Sequence, residues 1–181
     1  PNNAVAFQVD ASHAGHARFG RPFEMPAAPT WSVDLRGTIS YPVIANGKVY
    51  VLANQQEAGS PSYVSLHAFD ALTGQVAWGP VAVETVMPWA GLAFDRNKLI
   101  VLNGRGVLTA FDADTGAPEW SLPLREAAPN IWGFASSPTA SNGVVYVLGS
   151  GVGSTLCAVD VDSGTLLWSS DYLSVSGTGM V

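Results

Sequence analysis

The chain of 181 residues is 48% apolar and 12% charged, and its formal net charge is −6. This apolar content is ample for a hydrophobic core, whereas the acidic balance argues against nucleic acid or an anionic membrane surface as a partner. The chain has no run of the ~18–20 uncharged apolar residues that span a bilayer, since the nearest run, residues 81–94, is shorter and contains Glu84 and Pro88.

The first 36 residues are the least regular part of the chain. Residues 4–9, AVAFQV, are compatible with a strand. His13 and His16 have an H-x-x-H spacing, but Gly15 and Gly20 disfavour a helix there and no third ligand is nearby, so we predict no metal at this pair. The chain begins at Pro1 without a signal-like apolar region, which suggests a removed signal or an excised fragment.

A tight hairpin recurs from residue 39 onward. Its first copy is ISYPVIANGKVYVLA (39–53), in which Asn46 and Gly47 form a strong turn signal between a strand at about 40–44 and a second at about 48–53. The same module follows at residues 91–103 and 136–149. Each copy leads through a short loop into another hairpin.

This second hairpin contains a sequence pattern that recurs within the chain, A-[FV]-D-x-x-[TS]-G-x-x-x-W. It reads AFDALTGQVAW at 68–78, AFDADTGAPEW at 110–120 and AVDVDSGTLLW at 158–168. The carboxylate of such a pattern can cap the turn by accepting bonds from N–H groups two residues on, and its glycine suits a left-handed turn position; these residues are Asp70, Asp112, Asp160, Gly74, Gly116 and Gly164. A large ring at one place in each unit indicates packing between neighbouring units.

Cys157, the one cysteine of the chain, directly precedes the third copy. A single cysteine excludes an internal disulfide. Because it stands in the apolar strand TLCAVD, we predict a buried small residue rather than a reactive thiol.

Two hairpins per unit make four short antiparallel strands. In the first unit the last two strands are predicted at about 63–70 and 75–80. Units of about 40–50 residues with four strands are typical of a β-propeller blade. We therefore predict an all-β propeller of four-stranded blades, with an N-terminal segment at 1–36, blades at 37–85, 86–130 and 131–172, and the start of another blade at 173–181. A β-sandwich would not explain why the Trp-terminated hairpin recurs.

The repeated pattern resembles the tryptophan-docking motif of the pyrroloquinoline-quinone (PQQ)-type β-propeller repeat family. The run D-x-x-H-x-G at Asp10, His13 and Gly15 is similar to the segment that opens many such proteins. The resemblance implies that each motif tryptophan packs on the motif of the next blade; those rings are Trp31, Trp78, Trp120 and Trp168. Trp31 lacks the preceding turn pattern.

Three full blades are too few for the seven or eight that the resemblance implies. We therefore expect an incomplete ring or a fragment, with a compact four-bladed closure or an assembly of several chains as alternatives. An open arc would expose sheet edges and favour self-association.

The resemblance implies a ligand site near the propeller axis, on the face that carries the second-to-third-strand loops and the links between blades. The candidate ligand-binding residues there are Gln55, Glu57, Trp89, Asn103, Arg105, Asn130 and Trp132. Trp89 and Trp132 stand outside the docking motif. Aromatic faces beside amides and an arginine suit a flat or sugar-like ligand, or a peptide. The alternative is that both rings plug the channel or pack between blades.

Two acidic pairs resemble D-x-D calcium runs, namely Asp112 with Asp114 and Asp160 with Asp162. They lack the further oxygen ligands of an EF-hand loop, and the first repeat has Leu72 instead of the second carboxylate. We therefore interpret both pairs as turn residues and predict no metal.

The leading functional hypothesis is a non-catalytic binding scaffold, with a protein, small-molecule or glycan ligand on the loop face. The alternative is a fragment of a quinoprotein alcohol or sugar dehydrogenase. Resemblance to those enzymes would imply PQQ, a calcium or lanthanide ion and, in many, two adjacent cysteines, which a chain with one cysteine cannot supply. No serine–histidine–aspartate triad is apparent and we assign no catalytic residue. The resemblance also implies a bacterial protein of the periplasm or the extracellular space.

Overall fold

The structure, a computed structural model, describes residues 4–5, 29–55, 63–83, 90–124, 133–134, 136–150 and 154–173. These residues form fourteen strands. In chain order they are β1 (Thr38–Ile39), β2 (Val43–Ala45), β3 (Lys48–Gln55), β4 (Tyr63–Asp70), β5 (Val76–Val83), β6 (Ala90–Asp95), β7 (Lys98–Asn103), β8 (Val107–Asp112), β9 (Pro118–Pro123), β10 (Gly133–Phe134), β11 (Thr139–Ser141), β12 (Val144–Ser150), β13 (Ser154–Asp160) and β14 (Leu166–Leu173).

The strands form three antiparallel sheets that follow the chain without crossovers. Sheet one has the order β1-β3-β4-β5, with β2 also paired to β3. Sheet two is β6-β7-β8-β9, and sheet three is β10-β12-β13-β14, with β11 also paired to β12. Every pairing in these sheets is antiparallel. The sequence-based prediction of an all-β chain built from four-stranded units is confirmed.

The first strand of sheet one is interrupted, which differs from the continuous strand predicted at 40–44. Proline has no N–H to donate to the ladder, and Pro42 lies between β1 and β2. Ser40 N donates to Leu52 O at 2.8 Å and Leu52 N donates to Ser40 Oγ at 3.0 Å, so a side chain partly replaces the ladder there. Pro138 separates β10 from β11 in the same way, whereas β6 has no proline and is continuous.

The fourth strand of sheet one also differs from its prediction, because β5 runs through Val83 rather than ending near residue 80. Its ladder with β4 shifts register between Leu66 and Ala68. The bulge accommodates one extra residue, since Ala68 pairs with Trp78 but Leu66 pairs with Val81.

The hydrophobic core lies between neighbouring sheets. One buried cluster joins sheets one and two, and a second joins sheets two and three. Tyr50 crosses the first of these interfaces: its ring stacks on Phe94 with centroids 6.3 Å apart, and its hydroxyl donates to Ala113 O at 3.1 Å. Burial, with the charges of Asp114 and Asp112, raises the pKa of Tyr50 to about 12. The blades are therefore joined by side chains rather than by strand pairing.

The first strands of the three sheets converge. β6 contacts both β2 and β11. Ala4 forms an antiparallel bridge with Ile44, and Val5 O accepts a bond from Phe94 N at 2.9 Å. The segment at 4–5 therefore runs along the inner edges of sheets one and two. The rest of the strand predicted at 4–9 lies outside the described residues.

Candidate functional site

Three tryptophans each lie over the glycine of the following repeat. A Cβ added to Gly74, Gly116 or Gly164 would stand 2.6 to 2.7 Å from the nearest ring atom of Trp31, Trp78 or Trp120 respectively. Each indole N–H also donates to a carbonyl of that turn: Trp31 to Ala71 at 3.1 Å, Trp78 to Ala113 at 3.0 Å and Trp120 to Val161 at 2.9 Å. Ring contact and hydrogen bond together fix how each blade sits on the next.

The fourth motif ring is differently placed. The side chain of Trp168 contacts Tyr146 of its own sheet, with ring centroids 6.3 Å apart. It remains 46% exposed. Among the residues that the structure describes, Trp168 does not lie over a motif glycine.

The motif aspartates organise the turns beneath these rings. In each repeat one carboxylate oxygen accepts two backbone N–H groups and one hydroxyl; in the second repeat Asp112 Oδ1 accepts from Thr115 N at 2.8 Å and from Thr115 Oγ1 at 2.7 Å. These hydrogen bonds hold the pKa of Asp70, Asp112 and Asp160 below the usual value. The carboxylates are thus occupied by their own turns.

The second aspartates of the D-x-D runs bind cations of the preceding blade. Lys48 Nζ lies 2.9 Å from Asp114 Oδ1, and Arg96 Nη1 lies 2.5 Å from Asp162 Oδ2. Within the described ranges, no group of three or more histidine, cysteine, aspartate or glutamate side chains is arranged to hold a metal ion. The pairs act in turns and between blades, on the face that carries the tight hairpins.

The structure describes three of the candidate ligand residues, and these three lie on the opposite face. Gln55 serves the fold: its Nε2 donates to Leu35 O at 2.7 Å and its Oε1 accepts from Ser65 Oγ at 3.4 Å. Asn103 and Arg105 lie together at the end of β7. The other four, Glu57, Trp89, Asn130 and Trp132, lie outside the described residues.

Asn103 shapes a tight turn that presents Arg105. Its Oδ1 accepts from the N–H groups of Arg105 and Val107, each at 3.0 Å, and its carbonyl accepts from Gly106 N at 2.9 Å. Leu124 N donates to Gly106 O at 3.0 Å, which ties the turn to the end of β9. The Arg105 side chain is exposed and forms no ion pair within the described residues.

This turn stands at a groove of about 340 Å³ between sheets one and two. One wall is the end of β5 and the other is the face of β7, β8 and β9. Apolar side chains line most of the groove. Two hydroxyl groups also line it, those of Thr109 and Ser121, and they lie 3.3 Å apart. The apolar residues include Val81, Val101 and Phe111, and Asn103 and Arg105 complete the lining.

A second pocket of about 240 Å³ lies where the first strands converge. It is lined by residues of β1, β3, β4 and β6, by the residues that follow β1, and by Ser137; among them are Tyr41, Asn54 and Gly91. Asn54 Oδ1 is buried and has no hydrogen-bond partner among the residues that the structure describes. None of the described residues that line it is a lysine, arginine, aspartate or glutamate. PQQ is a tricarboxylate that is bound with a divalent or lanthanide ion, so the described lining residues do not supply a donor set that fits it.

The histidine of β4 also has a specific environment. Ser65 Oγ lies 2.8 Å from His67 Nε2, and the imidazole stacks on Phe69 at 6.0 Å. Burial lowers the pKa of His67. All three side chains are buried, so we assign the pair to packing rather than to nucleophilic chemistry.

Asn103 and Arg105 were predicted from the sequence as candidate ligand residues, but the other side chains that form the groove were not predicted. Val81 and Thr109 belong to two blades and stand in ordinary strand patterns. Their proximity depends on how blade one packs on blade two, so no local signal in the sequence would identify them.

The sequence profile of a family described as "Outer membrane protein assembly factor BamB" matches residues 62–179. No curated protein matches the chain in a sequence search.

Among solved structures, a quinohemoprotein alcohol dehydrogenase from Comamonas testosteroni superposes with a TM-score of 0.67 at 23% identity over 93% of this chain. A quinohemoprotein alcohol dehydrogenase from Pseudomonas putida HK5 gives a TM-score of 0.66 at 20% identity, also over 93% of this chain. A europium-containing methanol dehydrogenase gives 0.62 at 19% identity over the same share. The chain spans only 27%, 26% and 32% of those three chains. These likenesses show the fold, which is that of β-propeller blades, as the repeats predicted.

Proposed function

The chain belongs to the PQQ-like repeat family described as outer membrane protein assembly factor BamB, and from this premise we propose that it is a non-catalytic propeller scaffold that holds a protein partner during outer-membrane protein assembly. The observation that carries the proposal is the family match over residues 62–179, which includes the three turn motifs. The loop face would be the binding face, with Gln55, Glu57, Trp89, Asn103, Arg105, Asn130 and Trp132 as its candidate residues.

The described geometry supports a scaffold. Each blade interface combines a docked indole with a hydrogen bond and a buried apolar cluster, so neighbouring blades form a rigid support. A rigid support lowers the entropic cost of binding a partner on its loops. Arg105, held by the Asn103 turn beside the groove, is the kind of exposed anchor that protein interfaces favour.

A role in outer-membrane assembly would place the protein in the periplasm. None of the described helical segments is long and apolar enough to cross a membrane. We propose a periplasmic location on the strength of the family description.

The competing proposal is part of a quinoprotein dehydrogenase, on the basis of the fold likeness. The pocket at the first strands has no charged residue in the described part of its lining, which argues against PQQ there. We therefore derive no catalytic step for this chain.

Two assays separate the proposals. In the source organism, deletion of the gene should lower the fraction of outer-membrane β-barrel proteins that are folded, measured by heat-dependent mobility on gels, and a plasmid copy should restore it. The purified protein incubated with PQQ and calcium should show no alcohol-dependent dye reduction. Unchanged β-barrel folding together with alcohol-dependent dye reduction would reject the scaffold in favour of the enzyme.

A further inference from the structure

We propose that the groove between blades one and two binds an extended acidic peptide segment, with a side-chain carboxylate on Arg105 and apolar side chains between β5 and β8. The inference rests on the proposed function as a scaffold and specifies the chemistry of the partner. It is carried by a comparison of two equivalent blade interfaces in the same chain.

The equivalent position between blades two and three is filled. In blade two Val101, Thr109 and Phe111 face the groove. By strand register they correspond to Val147, Cys157 and Val159 of blade three, and those three side chains are 0% exposed in the second core cluster. Val101 and Phe111 are also nearly buried, at 1% and 4% exposure. The two interfaces therefore differ at Thr109, which is partly exposed at the groove, whereas its counterpart Cys157 is fully buried.

The sequence of the outer strand explains the difference. Beyond the docked indole, β9 directs Leu122 and the following Leu124 toward blade three. The equivalent positions in β5 are occupied by the smaller residues Val81 and Val83. The bulge in β5 also adds one residue between Trp78 and Val81. Smaller side chains and a displaced backbone leave about 340 Å³ unfilled. An unfilled apolar gap costs packing energy that a bound segment would recover.

The shape of the groove suits an extended chain. Val107, Thr109 and Phe111 lie on one face of β8 at alternating positions, so they span roughly 14 Å at about 3.4 Å per residue. That length matches about four residues of an extended peptide. The two hydroxyls midway, from Thr109 and Ser121, can bond the peptide backbone.

Charge complementarity with Arg105 indicates that the bound peptide carries an acidic residue. Five described residues are lysine or arginine, and Lys48, Arg96 and Lys98 are in ion pairs. Arg105 forms none in the described part of the chain and lies on a turn fixed by Asn103. A guanidinium at the end of an apolar groove binds a carboxylate in bidentate geometry.

Fluorescence anisotropy with defined peptides tests the inference. The probe is a fluorescein-labelled hexapeptide blocked at both ends, with one aspartate and two valines at alternating positions. A matched probe has asparagine for aspartate, and a third has asparagine and a free C-terminal carboxylate. We expect the aspartate probe to bind about tenfold more tightly than the asparagine probe, which corresponds to one charge-assisted hydrogen-bonded contact.

Variants assign that difference to the groove. Arg105→Gln should abolish the preference for aspartate. Arg36→Gln should leave it intact, because Arg36 is exposed outside the groove and, like Arg105, forms no ion pair with a described residue. Val81→Leu should weaken all probes by filling the gap. Circular dichroism melting verifies that each variant folds.

The outcomes separate this inference from the proposed function. Equal binding of the aspartate and asparagine probes, a preference that survives Arg105→Gln, or a preference only for the free chain end would each overturn the inference, whatever the gene deletion shows. An aspartate preference that depends on Arg105, with unchanged β-barrel folding in the deletion strain, would instead uphold the groove and reject the role in assembly.

Discussion

Trp78 lies over Gly116 so closely that a methyl group on the glycine would stand 2.7 Å from the indole Cε3 atom. Gly116 also has a φ of +75°, which side chains with a Cβ rarely adopt. Two separate requirements, a left-handed turn and space for the ring of the preceding blade, therefore fall on one residue. A matched substitution can separate them.

Gly116→Ala should lower the free energy of unfolding by about 3 kcal/mol, of which ~1–2 kcal/mol is left-handed strain and the rest is the displaced indole. Gly47→Ala is the control, because Gly47 has a φ of +73° but nothing within 4 Å of its added Cβ. We expect a loss of only ~1–2 kcal/mol there, from the left-handed strain alone. Urea denaturation measures the free energy of unfolding of both variants. Equal losses would mean that the Trp78 ring moves aside without an energetic cost.

Trp120→Ala should cost ~3–5 kcal/mol because it removes a docked ring and leaves a cavity between blades two and three. Trp120 Nε1 also donates to Val161 O at 2.9 Å, a bond whose loss contributes ~1 kcal/mol. Trp168→Ala is the comparison, since that ring is 46% exposed and its truncation should cost less than ~2 kcal/mol. Similar losses for the two variants in urea titrations would contradict the distinction between docked and undocked rings.

Local chemistry explains which features the sequence predicted. Asp112 and Gly116 form their turn from positions only four residues apart, so the turn can be recognised from the sequence of a single repeat. The break at Pro42 was missed because the alternation of apolar residues continues through it. The groove was missed because it arises from the size of Val81 compared with Leu122 in the next blade, and from a bulge that shifts register. Such packing differences become visible only when two blades are superposed.

The free energy of unfolding should decrease in two separate pH ranges as the pH is lowered. Burial lowers the pKa of His67 in the folded state, so folding favours the neutral imidazole. Its contribution is fully present above the unfolded value of about 6.5 and is lost as pH falls from there through the folded pKa. Asp70, Asp112 and Asp160, whose pKa values are also lowered, lose their contributions below about 3.9.

His67→Gln isolates the upper window. Thermal melting from about pH 7.5 to about pH 5 should show a falling midpoint for the natural chain and a flatter profile for the variant, because only the natural chain has a buried imidazole at position 67 to protonate. The steep loss near pH 4 and below should persist in both. Parallel profiles in the upper window would mean that His67 is protonated in the folded chain at little cost.

Thiol chemistry can compare the open and the closed blade interface directly. Cys157 is 0% exposed between blades two and three, and Thr109 holds the equivalent strand position beside the groove between blades one and two. Native protein should therefore react with Ellman's reagent only as fast as it unfolds, since a buried thiol is inert. The double variant Cys157→Ala with Thr109→Cys should react readily while folded. Denatured samples of both, which should each release one equivalent, provide the control. If the introduced thiol is as slow as Cys157 although the variant melts cooperatively, then the gap beside β8 does not admit a small molecule and cannot admit a peptide side chain.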